Sequence, residues 1–147
     1  MIDLVAIERT GTLPAGLELS SVAREAIGAN VAHYNRGGFE PPWIGYLAIR
    51  DGVCVGSCAF KSPPRENKVE IAYNTFAPNE RQGIATEMAR LLVAIARASL
   101  PNVIVSAQTL PEQNASTKIL AKLGFTRTGW AEDEEVGRVW VWTLEHR

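Results

Sequence analysis

The chain has 147 residues, 46% of them hydrophobic and 21% charged, with a formal net charge of −1. At that length one domain can bury roughly 70% of its unfolded surface, so neither disulfides nor a structural metal are needed to hold it. The balanced charge removes the electrostatic case for a nucleic-acid or membrane-surface partner, and no run approaches the ~20 apolar residues of a membrane span.

Met1-Ile2-Asp3-Leu4-Val5 has no basic stretch followed by a long apolar run. The expectation is a cytoplasmic protein without a signal peptide. Residues 2–9 alternate in part and predict a first strand. A turn region with Gly11, Pro14 and Gly16 follows. From Leu19 to Tyr34 the apolar residues recur with helical spacing, with Ser20 or Ser21 as cap and Arg36-Gly37-Gly38 as the end. Glu40-Pro41-Pro42 reads as a stiff loop. Trp43–Ile49 and Val53–Phe60 read as strands joined by the hairpin signal Asp51-Gly52. Cys54 and Cys58, four apart in one strand, are expected on one face as buried free thiols. A disulfide along a regular strand has poor geometry, and two cysteines without clustered histidines make no zinc site.

Val69–Phe76 predicts another strand, which Pro78 stops. Ile84, Ala85, Met88, Leu91, Leu92 and Ile95 then mark an amphipathic helix that starts at or near Gln82. After Pro101-Asn102 comes a short buried strand at 103–105. Ala115, Ile119, Leu120 and Leu123 give a third helix ended by Gly124, and Thr109 with Glu112 forms a possible capping box. Strands at 125–130 and 138–144 close the chain, with the acidic run Glu132-Asp133-Glu134-Glu135 as a solvated loop between them. The order is β-α-β-β-β-α-β-α-β-β. That is an α/β chain of the α+β mixed kind, a mixed sheet with helices on its faces, too irregular in its alternation for a doubly wound fold.

Two segments carry chemistry. In Glu80-Arg81-Gln82-Gly83-Ile84-Ala85-Thr86 a strand gives way to a helix. The first amides of a helix lack internal partners, and the dipole adds partial positive charge there. Gly83 and Ala85 leave room for an anion to reach the backbone, and Arg81 adds a formal charge. The turn lacks a phosphate-loop lysine and the G-x-G-x-x-G pattern, which disfavours nucleoside triphosphates and dinucleotides. An ordinary helix start explains the same residues.

This turn resembles the acetyl-coenzyme A signature Q/R-x-x-G-x-G/A of the GNAT superfamily of acetyltransferases. Gly83 and Ala85 match its last two positions, and Glu80 stands where glutamine or arginine is usual. Gln113 to Phe125 resembles the N-x-x-S-x-x-x-L-x-K-x-G-F segment of the RimJ/RimL-like branch, with Gln113 in the asparagine position, Asn114 one residue off, and Ser116 in the serine position. The final Val139-Trp140-Val141-Trp142 looks like the last strand of that branch.

The resemblance implies one N-acetyltransferase domain over residues 1–147, built on a mostly antiparallel twisted sheet, using acetyl-CoA as cosubstrate and no metal. It implies that the amides of Arg81, Gln82, Gly83, Ile84, Ala85 and Thr86 bind the pyrophosphate, and that Phe76 and Ala77 pair by main chain with the pantetheine arm. Gln113, Asn114 and Ser116 complete the cofactor set. The acceptor is a primary amine of a protein N-terminus or a small molecule, and the chain a monomer or homodimer.

Acetyl transfer to an amine needs a neutral amine, donors for the carbonyl oxygen and a proton for the departing thiolate. Glu70, in a stretch similar to the branch's E-x-G-Y, is the candidate base, directly or through a water; a surface salt bridge is the alternative. Leu120 stands where many members place a catalytic tyrosine. Ser116 is then the candidate acid, or a local helix cap, with Tyr73 in reserve, or in the core. An oxyanion donor is expected among the N–H groups of 74–76. Lys118 and Lys122 share a helical face and are either phosphate contacts or surface lysines. Tyr34, Phe39, Trp43 and Trp130 are the candidate acceptor-binding aromatics, which a stabilising core explains equally. The rival reading is a non-catalytic acyl-CoA-binding or protein-interaction domain of the same fold.

Overall fold

The computed structural model describes residues 1–77, 79–80 and 82–145. Its elements are β1 (Asp3–Ala6), α1 (Ser21–Gly37), β2 (Gly45–Arg50), β3 (Val53–Phe60), β4 (Lys68–Thr75), α2 (Ile84–Ser99), β5 (Ile104–Thr109), α3 (Ala115–Lys122), β6 (Thr126–Asp133) and β7 (Gly137–Leu144). This is the expected order. The seven strands form one sheet, β1-β2-β3-β4-β5-β7-β6. Only β4 and β5 run parallel; every other neighbouring pair is antiparallel.

Local chemistry accounts for several boundaries. Asp51 and Gly52 both have positive φ, 52° and 79°, as a two-residue type I′ hairpin turn requires. Ser20 is the cap of α1, its hydroxyl accepting from the Ala23 N–H at 3.2 Å, and Ser21 is the first helical residue. At the other end the Gly38 N–H bonds to the Tyr34 carbonyl.

The helices take opposite faces of the sheet. A Cβ on Gly45 would collide with the Asn30 side chain of α1, and one on Gly56 would meet Met88 of α2. Gly45 and Ala48, the cross-strand partner of Gly56, are three apart in β2 and so point to opposite sides. The core beneath α2 is built from Met88, Ala89, Leu92 and Ala96 packed on strand residues such as Val69, Ile71 and Phe60. Fully burying each large apolar side chain contributes roughly 1.5–3 kcal/mol. Among the described residues no helix is long and apolar enough to cross a membrane.

Three expectations change. Thr109 ends β5 and caps nothing; α3 is capped by Asn114, whose side chain accepts from Thr117 N–H while Thr117 Oγ1 accepts from Asn114 N–H. Glu132 and Asp133 belong to β6, leaving the turn to residues 134–136. Finally, β3 carries an extra residue, Val55, where Ala48 pairs with Gly56 and Ile49 with Cys54. Cys58 therefore opposes Tyr46 and Cys54 opposes Ile49, three residues apart, so the bulge turns the two thiols to opposite faces. Both are free and buried as expected, and burial pushes both thiol pKa values up.

Candidate functional site

β4 and β5 stay together for only three pairs, Lys68↔Ile104, Val69↔Val105 and Glu70↔Ser106. Beyond them β4 continues along β3 as far as Thr75, while β5 continues along β7 as far as Thr109. The sheet parts there, leaving edge groups of both strands without a ladder partner. A cleft of about 590 Å³ opens beside the split. Tyr73, Asn74 and Thr75 line it from β4; Glu80, Gly83, Ile84, Ala85 and Thr86 from the turn into α2; and Ala115, Ser116, Lys118 and Ile119 from α3. A hollow of about 660 Å³ between residues 10–19 and α1 is larger, but Arg24 is its one ionisable side chain and nothing from β4, α2 or α3 reaches it. Chemistry favours the smaller cleft.

The turn ends in Gly83, which caps α2 in the left-handed conformation, φ 76°. Gly83 is thus the residue whose backbone bends the chain into the helix, a bend glycine makes without steric cost. The helix starts at Ile84, two residues later than the expected start at Gln82. No side chain caps it, and its first helical bond runs from the Glu87 N–H to the Gly83 carbonyl. The Ile84, Ala85 and Thr86 amides thus head a 16-residue helix on the cleft wall and, among the described residues, have no hydrogen-bond acceptor, an arrangement that suits phosphate. Gln82 is exposed and off the cleft wall, and Glu80 brings a carboxylate to its mouth. Arg81 and Pro78 lie outside the described residues.

Tyr73 and Ser116 meet across the cleft. Because Asn114 caps α3, the Ser116 hydroxyl is not needed there. Burial pushes the Tyr73 phenol up to about 12, and the nearby Ser116 hydroxyl opposes that rise. Tyr46, on the same sheet face, is also raised by burial to about 12. Both folded-state values exceed the ordinary 10.0, so the stability these phenols contribute is complete below pH 10 and is lost as pH climbs toward 12. Denaturant unfolding should show a falling midpoint across that window, and Tyr46→Phe should make the fall shallower.

Glu70 lies on the other face of β4 from Tyr73, three residues away, and does not line the cleft. It is the last β4 residue before the split. One carboxylate oxygen sits 2.8 Å from Lys61 Nζ, its partner in a half-buried position. Farther along the α1 face of β4, Asn30, Ser57, Ala72 and Asn74 line a small hollow of about 160 Å³ that Glu70 does not reach.

The remaining sequence candidates spread out. Phe76 is buried, its N–H bonded to Val55 O and its carbonyl to Asn79 N–H, so its N–H is not free for a pantetheine arm or an oxyanion; Asn74 turns its backbone groups toward β3 in the same way, and the open edge of β4 belongs to Tyr73 and Thr75. Ala77 is exposed in the turn. Asn114 is committed to the α3 cap, and Gln113 Oε1 accepts from Thr117. Lys118 lines the cleft; Lys122 does not. Tyr34 is a core strut: its hydroxyl donates to Ile7 O and accepts from Gly45 N–H. Phe39 packs edge-on against it, Trp43 packs on Phe60, and Trp130 is far out on the last hairpin, 57% exposed. They form no common pocket. Sequence reasoning missed Ala115 and Ile119 as cleft residues; Thr75, within the stretch 74–76 expected to supply an oxyanion donor, lines the cleft two residues after Tyr73.

The family model described as "Acetyltransferase (GNAT) domain" matches residues 14–126. Solved structures share the fold at low identity. The IAA acetyltransferase from Bacillus cereus is 16% identical over 99% of both chains, TM-score 0.71. RimJ of Mycobacterium smegmatis, in complex with CoA-disulfide, is 18% identical over 84% of this chain and 61% of its own, TM-score 0.67. YncA of Salmonella typhimurium, solved with its cofactor acetyl-CoA, is 16% identical over 85% of this chain and 74% of its own, TM-score 0.64.

Proposed function

This chain belongs to the GNAT acetyltransferase family, and we propose that it is a RimJ/RimL-like N-acetyltransferase that moves an acetyl group from acetyl-CoA to a primary amine by direct attack on the thioester. The amine belongs to a protein N-terminus or a small molecule. One observation carries the reading: a cleft at a split in the sheet has an uncapped helix start at one end and the Tyr73–Ser116 pair at the other.

Acetyl-CoA supplies an acetyl group activated as a thioester. The Ile84, Ala85 and Thr86 amides hold the pyrophosphate, with Lys118 near by, and the open edge of β4 at Tyr73 and Thr75 aligns the arm. Tyr73, supported by Ser116, donates a hydrogen bond where the sulfur departs. Glu70 removes the amine's proton from the α1 side. Three residues along a strand span roughly 10 Å, so this base works through water and not by direct contact. Lys61 fixes the carboxylate at 2.8 Å, leaving the other oxygen for the relay.

Titration with acetyl-CoA should give saturable binding, and thiol release should depend on added amine. Glu70→Gln should lower turnover roughly tenfold or more, with acetyl-CoA affinity kept. Binding without transfer to any of a panel of peptide and small-molecule amines would favour the non-catalytic acyl-CoA-binding or interaction domain. Absence of binding removes both readings.

A further inference from the structure

β4 carries a cavity on each face. The hollow of about 160 Å³ is bounded by Asn30, Ser57, Ala59, Ala72, Tyr73 and Asn74, and Tyr73 and Asn74 line the cleft as well. The two cavities flank the same stretch of strand. That stretch lies past Glu70, where β5 has left β4. A molecule seated in the hollow therefore reaches the cleft around the open edge of β4.

Register explains how the hollow is built. Ser57 pairs with Asn74 and Ala59 with Ala72; Ala59 pairs with Gly45 on its other side. Cross-strand partners share a face, and Gly45 lies against the Asn30 side chain of α1. Ala59 and Ala72 thus form a small floor on the α1 face. The Ser57 hydroxyl and the Asn74 carboxamide stand at one end, with the Asn30 carboxamide beside them. Asn30 is held in place: its Nδ2 donates to the Ala26 carbonyl at 2.8 Å, which keeps Oδ1 as an acceptor, and Gly45 has no side chain to displace it. Tyr73 and Cys58, the ionisable residues of the lining, neighbour Asn74 and Ser57 along their strands and so turn their side chains to the α2 face. The hollow is polar and uncharged. Glu70 is two residues from Ala72, roughly 7 Å along the strand, and is engaged by Lys61.

We propose that the hollow is the specificity subsite for the acceptor, and that it takes an uncharged carboxamide carried on the carbon next to the reacting amine. This rests on the acetyl-transfer reading above and narrows its acceptor to amines of that kind. Volume agrees: about 160 Å³ equals about five water volumes of ~30 Å³, which suits an amine, one carbon and a carboxamide. Chemistry agrees too. A carboxamide offers donors and an acceptor, and the Asn74 carboxamide and Ser57 hydroxyl offer both in return. A carboxylate or a second ammonium would enter a site with no counter-charge in its lining, and an alkyl group would leave the polar side chains unpaired. The amine then lies over Ala72 on the side of Glu70, where the water relay from that carboxylate takes its proton.

Steady-state thiol release at saturating acetyl-CoA tests the subsite with amines of equal size: glycinamide, glycine, 1,3-diaminopropane and butylamine. With concentrations counted as unprotonated amine, glycinamide should have the highest kcat/KM by roughly tenfold or more. Ser57→Ala and Asn74→Ala should each raise the KM for glycinamide by roughly three- to tenfold, and leave that for butylamine within about twofold. Ser57 lines the hollow and not the cleft, so an acetyl-CoA titration of Ser57→Ala should match wild type and shows that the fold is intact. Preference for the carboxylate, the diamine or the alkylamine overturns the proposal, as does a glycinamide KM unmoved in both variants. Acetyl-CoA bound with no transfer to any of these amines strikes the transferase reading itself, and the subsite with it.

Discussion

Tyr73→Phe is expected to lower kcat by roughly 100-fold while leaving the KM for acetyl-CoA within about a factor of two. The phenol lines the cleft beside Ser116, and burial holds its pKa at about 12. At neutral pH it is therefore a proton-bearing donor at all times. An ordinary thiol has a pKa of ~8.5, well below that of this phenol, so complete proton transfer from it to a departing thiolate would run uphill. The work the phenol can do is to hold the developing charge with a preorganised hydrogen bond, and loss of one such donor costs about 10²–10³ in rate. Ser116 lies near the phenol and favours its charged form, so Ser116→Ala should have the smaller effect, roughly tenfold. The double variant should resemble Tyr73→Phe alone, since residues acting as a unit are not additive. Steady-state thiol release decides the order. A larger loss in Ser116→Ala would make the serine the donor, and unchanged turnover in both would remove the pair from the reaction.

Local chemistry made much of the fold legible. The limits of β3 and the Asp51-Gly52 turn follow from alternation and from a dipeptide that tolerates positive φ. The helix start was readable as a candidate anion site because Gly83 and Ala85 are small residues at the head of a helix. What escaped depends on pairing across the chain. The bulges at Val55 and Thr128 exist only relative to β2 and β7, so the common face of Cys54 and Cys58 could not be judged from their spacing. The Phe76 N–H is taken by Val55, some twenty residues earlier in sequence, which leaves the open backbone edge of β4 to Tyr73 and Thr75. The α3 cap was misplaced because an Asn–Thr reciprocal pair replaces the serine–glutamate pattern, and that misplacement hid the fact that Ser116 is released from capping. The aromatics Tyr34, Phe39 and Trp43 were readable as core or pocket from composition alone; only the two backbone bonds of the Tyr34 hydroxyl separate the cases.

Gly56→Val is expected to cost about 3 kcal/mol of folding stability and to raise the KM for acetyl-CoA together with it. A Cβ on Gly56 would lie 2.8 Å from the Asn74 carbonyl oxygen, 3.1 Å from Met88 Cε and 3.2 Å from Met88 Sδ. The methionine end is flexible and can yield. The Asn74 oxygen is backbone of β4, held in register by β3 through Gly56↔Thr75 and Ser57↔Asn74, and it cannot move without moving the cleft wall. Gly56 also follows the bulged Val55, whose carbonyl accepts the Phe76 N–H at 2.9 Å, so both ends of that wall shift together. Gly56→Ala carries the same clash with less bulk and should lose roughly 1–3 kcal/mol. Gly28→Ala is the control: it sits within α1 with nothing within 4 Å of a new Cβ, and should gain roughly 0.5–1 kcal/mol. Urea unfolding alongside acetyl-CoA kinetics reads both effects. A Gly56→Ala protein as stable as wild type would mean that β4 relaxes freely, and the cleft wall would then not be held by its contact with β3.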